Sequence, residues 1–258
     1  MTVSLPIRGM SLSSSTPAVI VPVMSAHLEA VAGDTRAAVA AGAEIVEWRV
    51  DSLQERPGGP RPEPREVART ARDLRGILGE VPLLLTVRTV AEGGHGPDDG
   101  AYAELVACLI ESSDADLVDI EYRRDGAAAL VDAARNAGVP VVTSFHDFEG
   151  TPPAEEIERI LADQERMGAA VAKIAVMPRS PADVATLLLA TARRAARAEV
   201  PLLTMSMAEQ GAVSRIAGHV FGSAATFGAV GRPSAPGQIH VERLRELMRG
   251  VTSASTPE

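Results

Sequence analysis

The chain has 258 residues, 46% of them hydrophobic, a formal net charge of -9 and a mean hydropathy close to zero. That length and apolar content suit one sizeable core, so a single globular domain is expected. The acidic balance and scattered arginines exclude nucleic acid and anionic membrane as partners, and no apolar run reaches the roughly 20 residues of a bilayer span. Arg8 is followed by no apolar stretch of the signal-peptide kind, which points to the cytoplasm.

In chain order, residues 1–16, Ser-rich from Ser11 to Thr16, read as a loose segment. From 17 to 250 short β-branched runs alternate with Ala-, Arg- and Glu-rich amphipathic stretches, the pattern of β-α units on a parallel sheet. Strands are expected at 18–23, 43–50, 82–87, 117–121, 139–144, 170–176 and 201–205, with a weaker one at 220–225. Helices fall between them, for example at 153–167 and 181–198, with Pro153 and Pro181 near their starts and Gly42, Gly138 and Gly168 where helices stop. The Pro- and Gly-rich insertion at 54–64 reads as a surface connection, a helix at 239–249 follows the loop 231–238, and 251–258 reads as a disordered tail. Eight strands without a Gly-rich dinucleotide fingerprint favour an α/β fold closed as a (β/α)₈ TIM barrel over an open doubly wound sheet.

One count stands apart. Lysine and arginine together number 25, and Lys173 is the only lysine, so 24 are arginine. Arginine stays protonated at any accessible pH, whereas a desolvated lysine can lose its proton and attack a carbonyl. Lys173 lies in the apolar run 169–177, an odd place for an ammonium that seeks water, which argues against a lysine merely left behind by drift. Cys108, the only cysteine, sits in an apolar helical pattern and reads as a packed thiol.

In a closed barrel the active site gathers at the C-terminal strand ends. Glu47, Arg49 and Asp51 alternate along the second strand and so share one face. Arg88 closes the third strand ahead of Glu92-Gly93-Gly94, Glu121 and Arg123 close the fourth, and Ser144, His146 and Asp147 close the fifth. Lys173 lies within the sixth, and Ser206 follows the seventh. A lysine so placed is either an imine-forming nucleophile, its ammonium pKa lowered by burial, or the cation of a structural ion pair with Glu47, Asp51 or Glu121. His146 on the adjacent strand would stand beside it and suits proton transfer near neutral pH, unless it packs a loop with Asp147 and Phe148. Arg49, Arg88 and Arg215 offer bidentate donors to a carboxylate, though each alone also reads as a surface or salt-bridge residue. No His or Cys pair shows metal-ligand spacing and there is no P-loop, so neither cofactor nor metal is expected.

These residues fall in strings that resemble the type I 3-dehydroquinate dehydratases. The strings are Glu47-Trp48-Arg49-Val50-Asp51, Arg88 through Glu92-Gly93-Gly94, Ser144 with His146-Asp147-Phe148, Lys173-Ile174-Ala175-Val176-Met177-Pro178, and Thr204-Met205-Ser206-Met207, then Ser214-Arg215 on to Ser234-Ala235-Pro236-Gly237-Gln238. The resemblance implies a (β/α)₈ barrel, commonly a homodimer, that dehydrates 3-dehydroquinate to 3-dehydroshikimate. It implies that Lys173 forms the imine, that His146 transfers protons and that Glu92 orients His146. It further implies that Arg215 pairs with the substrate carboxylate, that Glu47, Arg49, Arg88, Ser234 and Gln238 hold its hydroxyls and carboxylate, and that 231–238 forms a lid. Two positions depart from the family pattern: Pro22, where some members have a substrate-contacting serine, and Phe145, where some have asparagine, a change expected to alter packing around His146. A Schiff-base aldolase on the same barrel fits the lysine but not the other strings. A non-catalytic sensor of a cyclohexane carboxylate fits poorly with retention of both Lys173 and His146.

Overall fold

The computed structural model describes residues 3–54, 62–97, 99–231 and 237–253. An antiparallel hairpin, β1 (Ser4–Ile7) and β2 (Met10–Ser13), precedes the alternating part of the chain. Then follow β3 (Ala18–Val23), α1 (Leu28–Ala40), β4 (Ile45–Arg49), α2 (Pro64–Asp73), α3 (Arg75–Leu78), β5 (Leu83–Thr86), α4 (Asp99–Ser112) and β6 (Leu117–Glu121). The second half runs α5 (Ala127–Asn136), β7 (Val141–Asp147), α6 (Ala154–Met167), β8 (Val171–Val176), α7 (Pro181–Ala195), β9 (Leu202–Ser206), α8 (Ala212–Ala217), β10 (Ala225–Ala229), β11 (Ile239–His240) and α9 (Val241–Ser253).

Strands β3 to β10 stand side by side in sequence order, all parallel, with β10 pairing back onto β3 through Ala225 opposite Ala18. The ring closes where the Ala224 amide donates to the Leu202 carbonyl and Leu202 bridges to Ser223. This is the single-domain (β/α)₈ barrel, with β11 as a short extra partner of β10.

Alternation along each strand sorts its side chains into two layers. Outward residues such as Val46, Trp48, Leu85, Val118 and Ile120 pack under the helices. Inward residues Ile20, Ile45, Leu84, Leu117, Val142, Val171 and Leu203 fill the N-terminal half of the barrel. Helix ends follow the expected punctuation: Pro181 opens α7, where Ser180 and Asp183 form a capping box, and Gly168 ends α6.

The N-terminal residues differ from the sequence expectation of a loose segment. Ile7 and Leu12 of the hairpin are 5% and 2% exposed and join the inward cluster, so the hairpin plugs the bottom of the barrel. Runs of four residues carry too little periodicity to announce a strand, and Ser11 and Ser13 disguise the apolar Leu12 between them. At the other end α9 extends to Ser253, beyond the expected stop at 249, and 254–258 lie outside the described residues, as does most of the 54–64 insertion. The last barrel strand starts at Ala225 and not at 220, because Gly218–Phe221 close a 3-10 turn first.

Candidate active site

At the C-terminal mouth the inward positions change from apolar to charged, and a pocket of about 140 Å³ opens there. Glu47, Arg49, Arg88, Glu92, His146, Lys173, Arg215 and Gln238 all line it, so the barrel brings together every expected site residue that it describes. Ser234 lies outside the described residues.

Lys173 is 2% exposed, inward on β8 between Val171 and Ala175. Its Nζ donates to Asp119 Oδ2 at 3.0 Å, stands 4.0 Å from Glu47 Oε1 and lies 5.0 Å above the Phe227 ring centre. The sequence reading offered Glu47, Asp51 or Glu121 as its ionic partner; the closest is Asp119, which had not been singled out. Asp119 and Glu121 alternate inward on β6 just as Glu47 and Arg49 do on β4, and that alternation was the available signal. Asp119 is fully buried; its Oδ1 accepts from Ser144 Oγ at 2.6 Å and from Arg88 Nη2 at 2.9 Å. Burial alone would raise its pKa, but the charges of Arg88 and Lys173 and these hydrogen bonds prevail and hold it below the ordinary carboxylate range.

His146 falls inside β7, two residues beyond Ser144, which sits level with Lys173 in the β7–β8 register. Its partner comes from the loop after β5. There Val90–Glu92 form a 3-10 turn, and the Gly94 and Gly96 amides donate back to the carbonyls of Thr89 and Arg88. The Thr89 amide and hydroxyl both donate to the Glu121 carboxylate at 2.7 Å, which fastens the loop to β6. Glu92 Oε2 then lies 2.8 Å from His146 Nδ1 and accepts from the His146 amide at 3.1 Å. Burial pushes the Glu92 carboxyl up to about 8, helped by Glu121 and Asp119 and opposed by Arg88. Burial, then the charges of Arg88, Lys173 and Arg49, hold the His146 imidazole well below its usual range. At neutral pH the pair therefore shares one titratable proton across the Oε2–Nδ1 contact.

The arginines divide their work. Asp51 does not extend the charged face of β4 as expected, because the strand stops at Arg49 and Val50–Ser52 turn in a 3-10 helix. Asp51 folds beneath Arg49, accepts two hydrogen bonds from its guanidinium at 2.7 Å each, and also accepts from the amides of Arg88 and His95. Arg88, 3% exposed, donates to Glu121, Ser144, Asp119 and, at 3.4 Å, Glu92. Burial opposes the charge of Arg88, but Asp119, Glu121 and Glu92 outweigh it and keep the guanidinium above its ordinary range.

Arg215 enters from α8. The Ser206 amide donates to Ser214 Oγ at 2.9 Å, and Gly211 lets the chain double back, since a Cβ there would lie 2.1 Å from the Ser206 carbonyl oxygen. Arg215 is 2% exposed, with Nη1 3.9 Å from Met205 Sδ, and burial lowers its pKa to about 10. Met205, Met207, Phe148 and Phe227 complete the apolar wall, and none of them had been given a role by sequence. Phe145, expected to affect packing around His146, points outward into the cluster under α6, with Arg123 stacked 4.1 Å above its ring centre. Among the described residues no group of three or more His, Cys, Asp or Glu side chains is arranged to hold a metal ion, and no helix is long and apolar enough to cross a membrane.

Comparison with known proteins gives a consistent answer. Residues 19–253 match the family model described as type I 3-dehydroquinase. A 3-dehydroquinate dehydratase of Klebsiella pneumoniae subsp. pneumoniae is 42% identical over 252 residues, covering 96% of this chain and 98% of the relative. The crystal structure of 3-dehydroquinate dehydratase from Geobacillus kaustophilus superposes with a TM-score of 0.91 at 33% identity, covering 98% of each chain. The type I enzyme of Clostridium difficile, solved with covalent modified comenic acid, gives a TM-score of 0.90 at 32% identity, covering 98% of this chain and all of that one.

Proposed function

The chain belongs to the type I 3-dehydroquinase family and catalyses the loss of water from 3-dehydroquinate, through a lysine Schiff base, in the shikimate pathway; we propose that Lys173 is that lysine and that the pocket residues divide the remaining steps as follows.

Lys173 Nζ attacks the C3 ketone; water leaves, and the protonated imine that results withdraws electrons and acidifies the hydrogen on C2. The C1 hydroxyl leaves as water after taking a proton, and the C2 proton passes to the His146 Nε2 freed by that transfer, its electrons flowing toward the imine to form the C1–C2 double bond. His146 supplies the hydroxyl's proton from Nε2 while the proton shared with Glu92 moves to Nδ1 across 2.8 Å. The pair thus acts as one acid, and no charged imidazolium has to persist beside three cations. The same pair in reverse assists attack of water on the product imine, which frees Lys173.

Arg215 takes the substrate carboxylate, because it lines the same pocket as Lys173 and its guanidinium matches a carboxylate in bidentate geometry. Glu47, Arg49, Gln238 and Ser234 hold hydroxyls and carboxylate. Arg88 was expected to join them; its donors point to four protein acceptors, which supports a role in organising Asp119, Ser144 and Glu92. Family membership also supports a homodimer working in the cytoplasm, which light scattering on the purified chain tests.

One observation carries the reading: the only lysine in the chain is buried in the pocket wall, with its nitrogen facing the same cavity as the Glu92–His146 pair. Intact mass after addition of 3-dehydroquinate and then borohydride tests it. One reduced ligand per chain is expected, and none in Lys173→Arg. Binding without any trapped adduct would overturn the reading and leave a sensor in its place.

A further inference from the structure

We propose that Asp119 is the counterion of the protonated imine on Lys173, held in that role by Ser144 and Arg88. The inference rests on the Schiff-base reading above. When the Nζ–C3 bond forms and the C3–O bond breaks with release of water, the nitrogen keeps one proton and one positive charge. That charge is what draws electrons from C2, and a neutral imine loses most of the effect.

The charge appears where Nζ already is. Of the carboxylates around it, Asp119 is nearest at 3.0 Å and Glu47 is next at 4.0 Å. The charged groups around Lys173 are Glu47 and Arg49 from β4, Arg88 and Glu92 from the loop after β5, Asp119 and Glu121 from β6, His146 from β7 and Arg215 from α8. Strands β9 and β10 face it with the apolar Leu203 and Phe227. Glu121 is engaged by Arg88, Thr89 and Arg124, and Glu92 by His146. Arg49, Arg88 and Arg215 repel a cation at Nζ. Asp119 is the anion that touches the nitrogen.

Asp119 is also built to remain where it is. It is fully buried and is absent from the pocket wall, so substrate does not displace it. Its Oδ1 is fixed by Ser144 and Arg88, which leaves Oδ2 directed at Nζ. The two hydrogen bonds fix the carboxylate before the reaction begins, the condition under which electrostatic stabilisation is most effective. Asp119 touches a reacting atom and is catalytic; Ser144, acting through it, is a positioning residue.

The test is the pH profile of kcat and of borohydride-trapped adduct in wild type, Asp119→Asn, Ser144→Ala and Glu47→Gln. Asp119→Asn keeps the shape and removes the charge. It should lower kcat about 100-fold or more with KM within a few fold, and move the alkaline limb of both profiles down by about 1 to 3 pH units. Glu47→Gln should weaken activity through binding but leave the limb in place. An unmoved limb in Asp119→Asn, or an equal shift in Glu47→Gln, overturns the proposal. Should Asp119→Asn fail to fold, Ser144→Ala decides: a smaller shift in the same direction supports the proposal and an unshifted limb overturns it. Absence of any adduct in wild type is a different result, which strikes the Schiff-base reading itself.

Discussion

Glu92 Oε2 lies 2.8 Å from His146 Nδ1 and 3.1 Å from the His146 amide, so a single oxygen fixes both the ring and the strand that carries it. Burial raises Glu92 to about 8 from its ordinary 4.5 and depresses His146 below its ordinary 6.5. The pair then holds one proton from acid pH up to about 8. For Glu92, raised in the fold, the stabilising contribution is complete below 4.5 and gone once pH has climbed through about 8. For His146, depressed in the fold, the contribution is complete above 6.5 and is lost as pH falls below it.

Glu92→Gln separates these effects. Glutamine can still accept from the His146 amide and donate to Nδ1, but it has no proton to pass on, so kcat should fall about 100-fold with KM within a few fold. The penalty of burying an ionisable carboxyl also disappears. The variant should therefore gain stability relative to wild type as pH rises from 4.5 to about 8. A proton difference is worth about 1.4 kcal/mol per pH unit, so the gain is on the order of a few kcal/mol. Thermal melts across that range check it; parallel profiles for the two proteins would show that Glu92 is ionised throughout.

Arg215→Ala should act on binding. Its guanidinium is 2% exposed, so the carboxylate it pairs with is desolvated along with it. Loss of one charge-assisted contact of about 1.5 to 3 kcal/mol corresponds to a rise in KM of about 10- to 100-fold. Because the carboxylate does not react, kcat should change by less than the rise in KM. Steady-state kinetics distinguish the two; a fall in kcat alone would place the substrate carboxylate elsewhere.

The barrel and its nucleophile were legible because both leave a pattern in one dimension. β-branched runs at regular spacing give the strands, and a single lysine in an apolar run gives Lys173. Asp119 was harder: its partner Lys173 is 54 residues away, so only strand register brings the two together. Arg88 was found as a charged strand end, yet its four acceptors could not be read, since they come from the loop that follows it, from β6 and from β7. Asp51 looked like a third charge on one face because the alternation rule assumes that the strand continues, and it does not.

Gly94 makes a backbone prediction. A Cβ there would lie 2.1 Å from the Arg88 carbonyl oxygen and 2.6 Å from its carbon, and neither is the tip of a flexible side chain that could swing away. Gly94→Ala must push apart the two ends of the loop that carries Glu92. About 2 to 3 kcal/mol of stability should be lost. Activity should fall at least about tenfold, since a displacement near 1 Å at a catalytic group has effects of that size or larger. Melting temperature and kcat measured together test the linkage; a loss of stability with unchanged kcat would detach the loop from Glu92.

Leu12→Ala should show the opposite separation. Leu12 is 2% exposed at the closed end of the barrel, packed with Ile20, Ile45 and other inward residues of the apolar layer, while the charged groups occupy the other end. Truncating a buried leucine costs about 3 kcal/mol when the surroundings cannot collapse, and Leu12 sits among the buried strand residues of that layer. For a domain of this size that is a fall in Tm of about 6 to 12 °C. Values of kcat and KM below the transition should stay within twofold, because the ring of strands keeps its register without the side chain. If the variant melts like wild type, the hairpin is only laid against the barrel and the apolar layer closes without it.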